Sequence, residues 1–222
     1  KGNQAFESYR YNESAAARYA AILNRAAEAM PNAKVYDLIV PLSYSVNLTE
    51  REQAQFDMSD AGESVSKMYA MMNASVGKVS VLPELLAHKD EYLYFRTDHH
   101  WTQLGAYYAY TAFCEAAGFE AVPLEQFQTG RYDTFLGSMY GFTEGYPQSE
   151  VLKQHPDYLE YYLPIADTHA RYYANGNLEN GTPVSVVYTE LGDSVSNKYL
   201  CFIGGDTPIC IVESDVPGPT CI

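Results

Sequence analysis

The sequence is poor in basic residues and contains no long apolar segment. Its 14 lysines and arginines face 28 aspartates and glutamates, which gives a net charge of −14 over 222 residues. A nucleic-acid surface needs clustered cations to displace counterions from phosphates, and this composition supplies no basic stripe. No apolar run approaches the roughly 18 residues that a membrane-spanning helix requires. Nucleic acid is therefore not an expected partner, and the composition is that of a globular protein with a buried core.

Cysteine is scarce too, and the four that occur form neither a CxxC pair nor a zinc-binding spacing. Cys114 lies on the apolar side of a predicted helix, where it is expected to be a small core residue. Cys201, Cys210 and Cys221 follow in a β-rich tail in which one disulfide could form. The sequence also lacks the glycine-rich GxGxxG and Walker A loops, so no nucleotide cofactor is expected.

The first half of the chain alternates predicted helices with short apolar strands. The helices are predicted from Asn12-Glu13-Ser14 to Met30, over most of residues 50–76, and from Gln103 to Ala117, and the strands over residues 35–41 and 79–82. Helices alternating with buried strands are typical of a three-layer α/β sheet. Thr102 is expected to cap the helix that starts at Gln103, and Gly118 to end it.

The pattern changes after Pro123. Residues 124–165 are aromatic and rich in turns, and residues 169–213 contain four strand-like runs broken by Asn-Gly and Gly-Gly pairs, with a Pro-Gly pair after the last run. These runs, at 169–174, 184–189, 199–203 and 209–213, predict antiparallel hairpins. Because no linker or internal repeat is present, we predict one α/β domain over residues 1–222, with a β-rich, tyrosine-rich insertion over about 124–213.

Residues 97–103, Thr-Asp-His-His-Trp-Thr-Gln, hold two of the five histidines and the only tryptophan. An Asp-x-His spacing at the start of a helix can place both side chains on one side. Asp98 would then orient His100 as the general base of a nucleophilic active site. The neighbouring His99 is expected to point elsewhere, and Trp101 to wall the site or to anchor the loop in the core.

Other interpretations of this motif compete with the catalytic one. A short Asp-His-His string is often only a capping or packing cluster. A metal site would need three or four ligands, whereas His88, His155 and His169 are scattered along the chain, so no metal is expected. The DHH phosphoesterases need further aspartate-rich motifs after buried strands, and the sequence has none.

Residues 94–107, Tyr-Phe-Arg-Thr-Asp-His-His-Trp-Thr-Gln-Leu-Gly-Ala-Tyr, resemble the signature of the DHHW family of bacterial extracytoplasmic proteins. They are similar, more distantly, to the Asp-Thr-His-Trp-Thr motif of the alginate O-acetylation proteins in the SGNH hydrolase superfamily. Residues 35–43, 135–140 and 198–205 resemble further blocks of the family. The resemblance thus covers most of the chain.

The resemblance implies an SGNH-like α/β/α sheet whose C-terminal part is expected to be missing from this sequence. It makes Asp98 and His100 the acid and base of an ester-processing triad. His100 is preferred to His99 because the alginate relatives carry threonine at the position of His99. The nucleophilic serine is expected after one further strand that would start near Thr220, and so beyond Ile222. The alternative nucleophile is Ser194, in Gly192-Asp193-Ser194, whereas Ser43 is expected to be structural.

The expected function is ester hydrolysis or O-acyl(acetyl) transfer on cell-surface polysaccharide, or on a small acyl ester, with no cofactor. The protein would be secreted, or membrane-anchored through a segment absent here, and it could work with a membrane-bound acyl-transfer partner. The alternative function is a non-catalytic glycan-binding or envelope-scaffold protein. Its contact surface would lie in the tyrosine-rich residues 132–173, in a chain that has 21 tyrosines.

Overall fold

A computed structural model of the protein describes residues 1–192 and 194–221, and it contains helices and strands in both halves of the chain. The α-helices are α1 (Glu13–Ala29), α2 (Tyr44–Asn47), α3 (Glu50–Gln53), α4 (Ala61–Ala70), α5 (Leu82–Ala87), α6 (Gln103–Ala117), α7 (Ser138–Thr143) and α8 (Ser149–Gln154). The strands are β1 (Val35–Leu38), β2 (Val76–Val79), β3 (Thr129–Phe135), β4 (Asp157–Tyr162), β5 (Thr168–Tyr172), β6 (Thr182–Val184) and β7 (Cys210–Ser214). Two 3₁₀ turns cover Leu124–Gln126 and Lys198–Cys201.

The chain forms two compact units, the first made of residues 1–121 and 138–155 and the second of residues 122–137 and 156–221. In the first unit β1 and β2 pair in parallel, with Val35 opposite Val76. A cluster around Ala20 of α1 includes Val76, while Val79 packs with Ala109 of α6 in a separate cluster. Because successive strand residues face opposite sides, helices cover both faces of this sheet. This arrangement confirms the predicted α/β class.

Helices α1 and α6 begin and end as predicted because their ends carry local signals. The Asn12 side chain accepts a hydrogen bond from the Ala15 N–H at 2.9 Å at the start of α1. Thr102 caps α6 by accepting from the Gly105 N–H. Gly118 ends α6 with φ of +78°, a left-handed conformation that glycine adopts without strain. Cys114 is buried on this helix, as expected, and all four cysteines are free thiols.

Two predictions in the first unit are wrong. The helix expected over most of residues 50–76 is interrupted, because Asp60 caps a new helix by accepting from the Glu63 N–H. The strand expected at residues 79–82 ends at Val79 instead. Leu82 begins α5, and Pro83 follows in its first turn, where proline's missing N–H costs nothing.

The second unit is built from antiparallel strands. β3 pairs with β4, and β5 lies between β6 and β7 in a three-stranded sheet. The pairing of β5 with β6 confirms a hairpin after residues 169–174. The run predicted at residues 209–213 is confirmed as β7, but it pairs with β5 across a long stretch of chain and not as a hairpin. The strand predicted at residues 184–189 is wrong, because β6 ends at Val184. The strand predicted at residues 199–203 is wrong, because Asn197 caps a 3₁₀ turn there and only Phe202 forms a bridge, with Val187. No helix among the described residues has the length and apolarity needed to cross a membrane.

Candidate active site

The histidine motif forms a tight loop that leads directly into α6. Tyr94 and Trp101 face each other as an antiparallel bridge, and the Thr102 N–H donates to the Leu93 carbonyl at 2.8 Å. The Thr97 carbonyl accepts from the Tyr140 N–H at 3.1 Å. The loop is therefore held across its base and again at its tip, which fixes the backbone that carries Asp98 and the two histidines.

Gly105 allows α6 to approach this loop closely. A Cβ atom at this position would lie 2.5 Å from the carbonyl oxygen of Leu93, closer than a carbon atom can approach an oxygen. Trp101 is half-buried and packs against the core cluster that contains Leu93 and Ala109. The absence of a side chain at Gly105 and the large side chain of Trp101 thus allow the motif to pack against the core.

Asp98 is buried, with 3% of its surface exposed, and its carboxylate binds the backbone and side chain of His100. One oxygen, Oδ1, accepts from the His100 N–H at 2.9 Å and lies 2.7 Å from the imidazole Nδ1. The Asp-x-His spacing lets one carboxylate oxygen reach both groups. The structure therefore brings together the two residues that the sequence predicts as the acid/base pair.

Ser138 binds the second oxygen of the same carboxylate. Its N–H donates to Asp98 Oδ2 at 2.8 Å, and its hydroxyl lies 3.0 Å from that atom. Ser138 is the first residue of α7, forty residues along the chain from Asp98, and sequence reasoning did not assign it to the site. The only available signal was its place in the block 135–140, which resembles a family block.

His99 also belongs to this cluster, so the expectation that it points elsewhere is wrong. Its Nδ1 lies 2.5 Å from the hydroxyl oxygen of Ser138. Its ring lies over that of His100, with 3.8 Å between the ring centroids and 37° between the planes. The reason is Ser138, a distant residue whose hydroxyl draws the His99 ring onto the carboxylate side of the loop.

The hydrogen bonds fix how Asp98 and His100 can act chemically. The backbone N–H groups of His100 and Ser138 donate to the Asp98 carboxylate, and a carboxylate can only accept hydrogen bonds. The proton between Asp98 and His100 therefore resides on Nδ1, which leaves Nε2 as the basic nitrogen of the neutral ring. Because the His100 side chain is 51% exposed, a substrate or nucleophile can reach this ring. The pair is arranged as the carboxylate and base of a triad are.

The other two serines singled out from the sequence, Ser194 and Ser43, belong to different units of the chain. Ser194 is in an exposed turn of the second unit, next to Asp193, which lies outside the described residues. Ser43 is buried in the first unit, after β1 and directly before α2.

Within the part of the chain that the structure describes, Asp98, His99 and His100 also form a group that could hold a metal ion. One ligand atom from each lies within 4.8 Å of the others. The hydrogen bonds described above engage both Asp98 oxygens and both Nδ1 atoms. A metal ion at the carboxylate would therefore have to displace these donors.

Comparison with known proteins places the chain among proteins with this motif. A family model described as "DHHW protein" matches residues 1–220. A DHHW family protein from Eubacterium siraeum has a crystal structure similar to this chain, with 30% sequence identity and a TM-score of 0.78. The similar region covers 94% of this chain and 67% of that protein. No curated protein has a significantly similar sequence.

Two further structures share the fold at lower sequence identity. PatB1 of Bacillus cereus is 15% identical with a TM-score of 0.67, over 94% of this chain and 72% of that one. The O-acetyltransferase domain of Pseudomonas putida AlgJ is 20% identical with a TM-score of 0.52, over 71% of this chain and 60% of that one. At these identities the two structures show a shared fold, in agreement with the predicted α/β class.

Proposed function

Because the chain belongs to the DHHW family, we propose that it is the larger part of an O-acyl(acetyl)transferase or ester hydrolase that acts on cell-surface polysaccharide. The observation that carries this proposal is the 2.7 Å contact between Asp98 Oδ1 and His100 Nδ1 in the family motif. The shared fold with the O-acetyltransferase domain of AlgJ favours acyl transfer over other uses of such a pair.

In this mechanism His100 Nε2 removes the proton from a serine hydroxyl as that oxygen attacks the carbonyl carbon of an acyl ester. The imidazolium then returns the proton to the departing alcohol oxygen as the ester C–O bond breaks. The acyl group passes from the serine to a sugar hydroxyl, or to water in hydrolysis, in a second step with the same base. Asp98 holds the tautomer and stabilises the imidazolium.

The nucleophile in this proposal is a serine outside the described residues, and Ser194 is the alternative. The chain covers 67% of the Eubacterium siraeum protein, which therefore contains residues with no counterpart here. Residues 124–213 would be an insertion in one SGNH-like domain. The proposal also includes an extracytoplasmic location in a bacterium and a membrane-bound partner that supplies the acyl group.

The catalytic role of His100 is tested by assaying the full-length protein with an acetyl ester, wild type against His100→Ala. We expect a loss of about 10³-fold or more in kcat/KM, since removal of any triad member leaves only weak residual catalysis. His88→Ala is the matched control, because His88 Nδ1 lies 2.7 Å from Glu91 Oε1 in a comparable histidine–carboxylate pair outside the motif. Equal activity in wild type and His100→Ala would contradict the role.

The nucleophile is identified by treating the full-length protein with a sulfonyl fluoride and mapping the modified peptide. We expect the adduct on a serine outside residues 1–222, and we expect this 222-residue chain alone to be inactive. An adduct on Ser194, or ester turnover by the 222-residue chain that Ser194→Ala abolishes, would instead assign the role to Ser194.

The second candidate, a non-catalytic glycan-binding or scaffold protein, places its contact surface in residues 132–173. Among the described tyrosines of that segment only Tyr146 is exposed, at 65% of its surface, while Tyr161 and Tyr173 are buried. Because these two rings are buried, they are not available as part of a broad aromatic surface for sugar binding. Oligosaccharide soaks of crystals distinguish the two functions, because density on these tyrosines and not at His100 would favour binding.

A further inference from the structure

Ser138 lies between Asp98 and His99 and contacts both side chains. Its backbone N–H and its hydroxyl oxygen lie 2.8 and 3.0 Å from Asp98 Oδ2, and the hydroxyl oxygen lies 2.5 Å from His99 Nδ1. One residue therefore connects the carboxylate of the proposed acid/base pair with the histidine that has no role in the proposed reaction.

The donor inventory determines where the protons in this cluster lie. The Asp98 carboxylate has no proton to give, so the Ser138 hydroxyl must donate its single proton to Oδ2. The hydroxyl oxygen can then only accept from His99, and Nδ1 of His99 must carry a proton. His100 Nδ1 carries its proton toward Oδ1 for the same reason. Both neutral imidazoles thus have Nδ1–H directed at the cluster and Nε2 as their acceptor nitrogen.

We propose that Ser138 is a positioning residue that holds Asp98 with two donors and, through its hydroxyl oxygen, fixes the tautomer and ring orientation of His99 beside His100. The consequence for catalysis rests on the proposed function, whereas the tautomers do not depend on it. His99 and His100, with side chains 33% and 51% exposed, are then two adjacent rings, tilted by 37°, that both direct Nδ1 at the Asp98–Ser138 cluster. A carboxylate held from both oxygens cannot rotate away from His100.

Ser138 is not arranged as the nucleophile itself. In a triad the histidine stands between carboxylate and serine, and its Nε2 faces the serine hydroxyl. Here the serine stands between the carboxylate and His99, and it meets Nδ1 of that ring. Its proton is directed at the Asp98 carboxylate and not at an imidazole nitrogen, which is where a triad serine directs it.

The tautomers are measured on the ¹⁵N-labelled full-length protein by long-range ¹H–¹⁵N correlation, above the pH at which the histidines are charged. In the wild type we expect both His99 and His100 as the Nδ1–H form. In Ser138→Ala we expect His99 to lose that form while His100 keeps it, because Asp98 Oδ1 remains. Ser138→Thr retains the hydroxyl and should restore the wild-type spectrum. An Nε2–H form of His99 in the wild type, or an unchanged His99 in Ser138→Ala, would overturn the proposal.

The effect on catalysis is measured on full-length protein with the acetyl ester. We expect Ser138→Ala to lower kcat by about 10- to 100-fold, the typical cost of a slightly misplaced catalytic group, and Ser138→Thr to recover most of it. Ser149→Ala is the matched control, because buried Ser149 also starts a helix, α8, and donates to the Tyr146 carbonyl at 2.7 Å. A comparable loss in Ser149→Ala, or complete loss with a sulfonyl adduct on Ser138, would overturn the positioning role. An inactive wild type with the expected tautomers would reject the proposed function alone.

Discussion

Two buried aspartates in the first unit show how neighbouring donors decide the behaviour of a carboxylate. Asp98 receives hydrogen bonds on both oxygens from His100 and Ser138. Asp37, on β1, accepts from the Tyr19 hydroxyl on Oδ1, while its Oδ2 is buried without a partner. Burial raises the pKa of Asp37 above its ordinary value, although the Tyr19 hydrogen bond opposes this shift. Asp98 has donors on both carboxylate oxygens, whereas ionisation of Asp37 lowers the stability of the folded protein because the charge on Oδ2 is buried without a partner.

We therefore predict that Asp37→Asn stabilises the protein at neutral pH. A carboxyl whose pKa is raised by folding contributes stability below its unfolded pKa of 3.8, and this contribution is lost as pH rises through the folded value. The amide removes the buried charge and keeps the oxygen that accepts from Tyr19. The free energy of unfolding from urea titrations should rise by about 1 kcal/mol at pH 7 and change little below pH 4.

Asp90→Asn is the control, since Asp90 is exposed and should leave the pH dependence of stability unchanged. A lower free energy of unfolding for Asp37→Asn at pH 7 would show that the Asp37 charge is compensated after all.

At the scale of elements, α6 connects the candidate site to the core. Thr102 belongs to the motif and caps the helix, with its hydroxyl donating to the Tyr92 carbonyl at 2.6 Å and accepting from the Gly105 N–H at 3.3 Å. The hydroxyl accepts from one of the N–H groups at the helix start that have no partner within the helix. It also joins the start of the helix to the segment around Tyr92. The helix start and the loop geometry therefore depend on one side chain.

Thr102→Ala should lower the free energy of unfolding by about 1–2 kcal/mol, the usual cost of losing a helix cap. Thr102→Ser keeps the hydroxyl and should lose much less. The measurement is Tm by calorimetry, where each kcal/mol corresponds to roughly 2–4 °C in a domain of this size. Thr111→Ala in the middle of α6 is the control, and equal losses in Thr102→Ser and Thr102→Ala would contradict the capping role.

Prediction of elements from the sequence succeeded where a local signal exists. Asn12 and Thr102 cap α1 and α6 at the residues expected, because a side-chain cap needs only its own next turn. The apolar run at residues 199–203 predicted a strand, but Asn197 starts a 3₁₀ turn there. A short apolar run is equally suited to a strand and to a buried turn, and only its surroundings decide.

At the scale of the whole molecule, the charge imbalance is the dominant physical property. With 28 acidic against 14 basic residues, mutual repulsion between carboxylates opposes the compact state. Salt screens this repulsion because the Debye length falls from about 30 Å at 0.01 M to about 8 Å at 0.15 M.

We predict that Tm rises by a few degrees between 0.01 and 0.15 M NaCl at pH 7, because a gain of about 1 kcal/mol corresponds to roughly 2–4 °C. Differential scanning calorimetry measures this change. KCl at the same concentration should raise Tm by a similar amount if screening is the cause. A fall in Tm with salt would mean that favourable ion pairs, such as the one between Lys67 and Glu63, outweigh the repulsion.

The sequence by itself determined the α/β class, the limits of α1 and α6, and the pairing of Asp98 with His100, because each depends on residues close together in the chain. The family also followed from the sequence, since the motif is continuous. Only the tertiary structure decided that Ser138 binds Asp98 and that the His99 ring contacts Ser138 and lies beside His100. A contact across forty residues leaves no periodic or spacing signal, and it exists only because folding brings the start of α7 against the loop before α6.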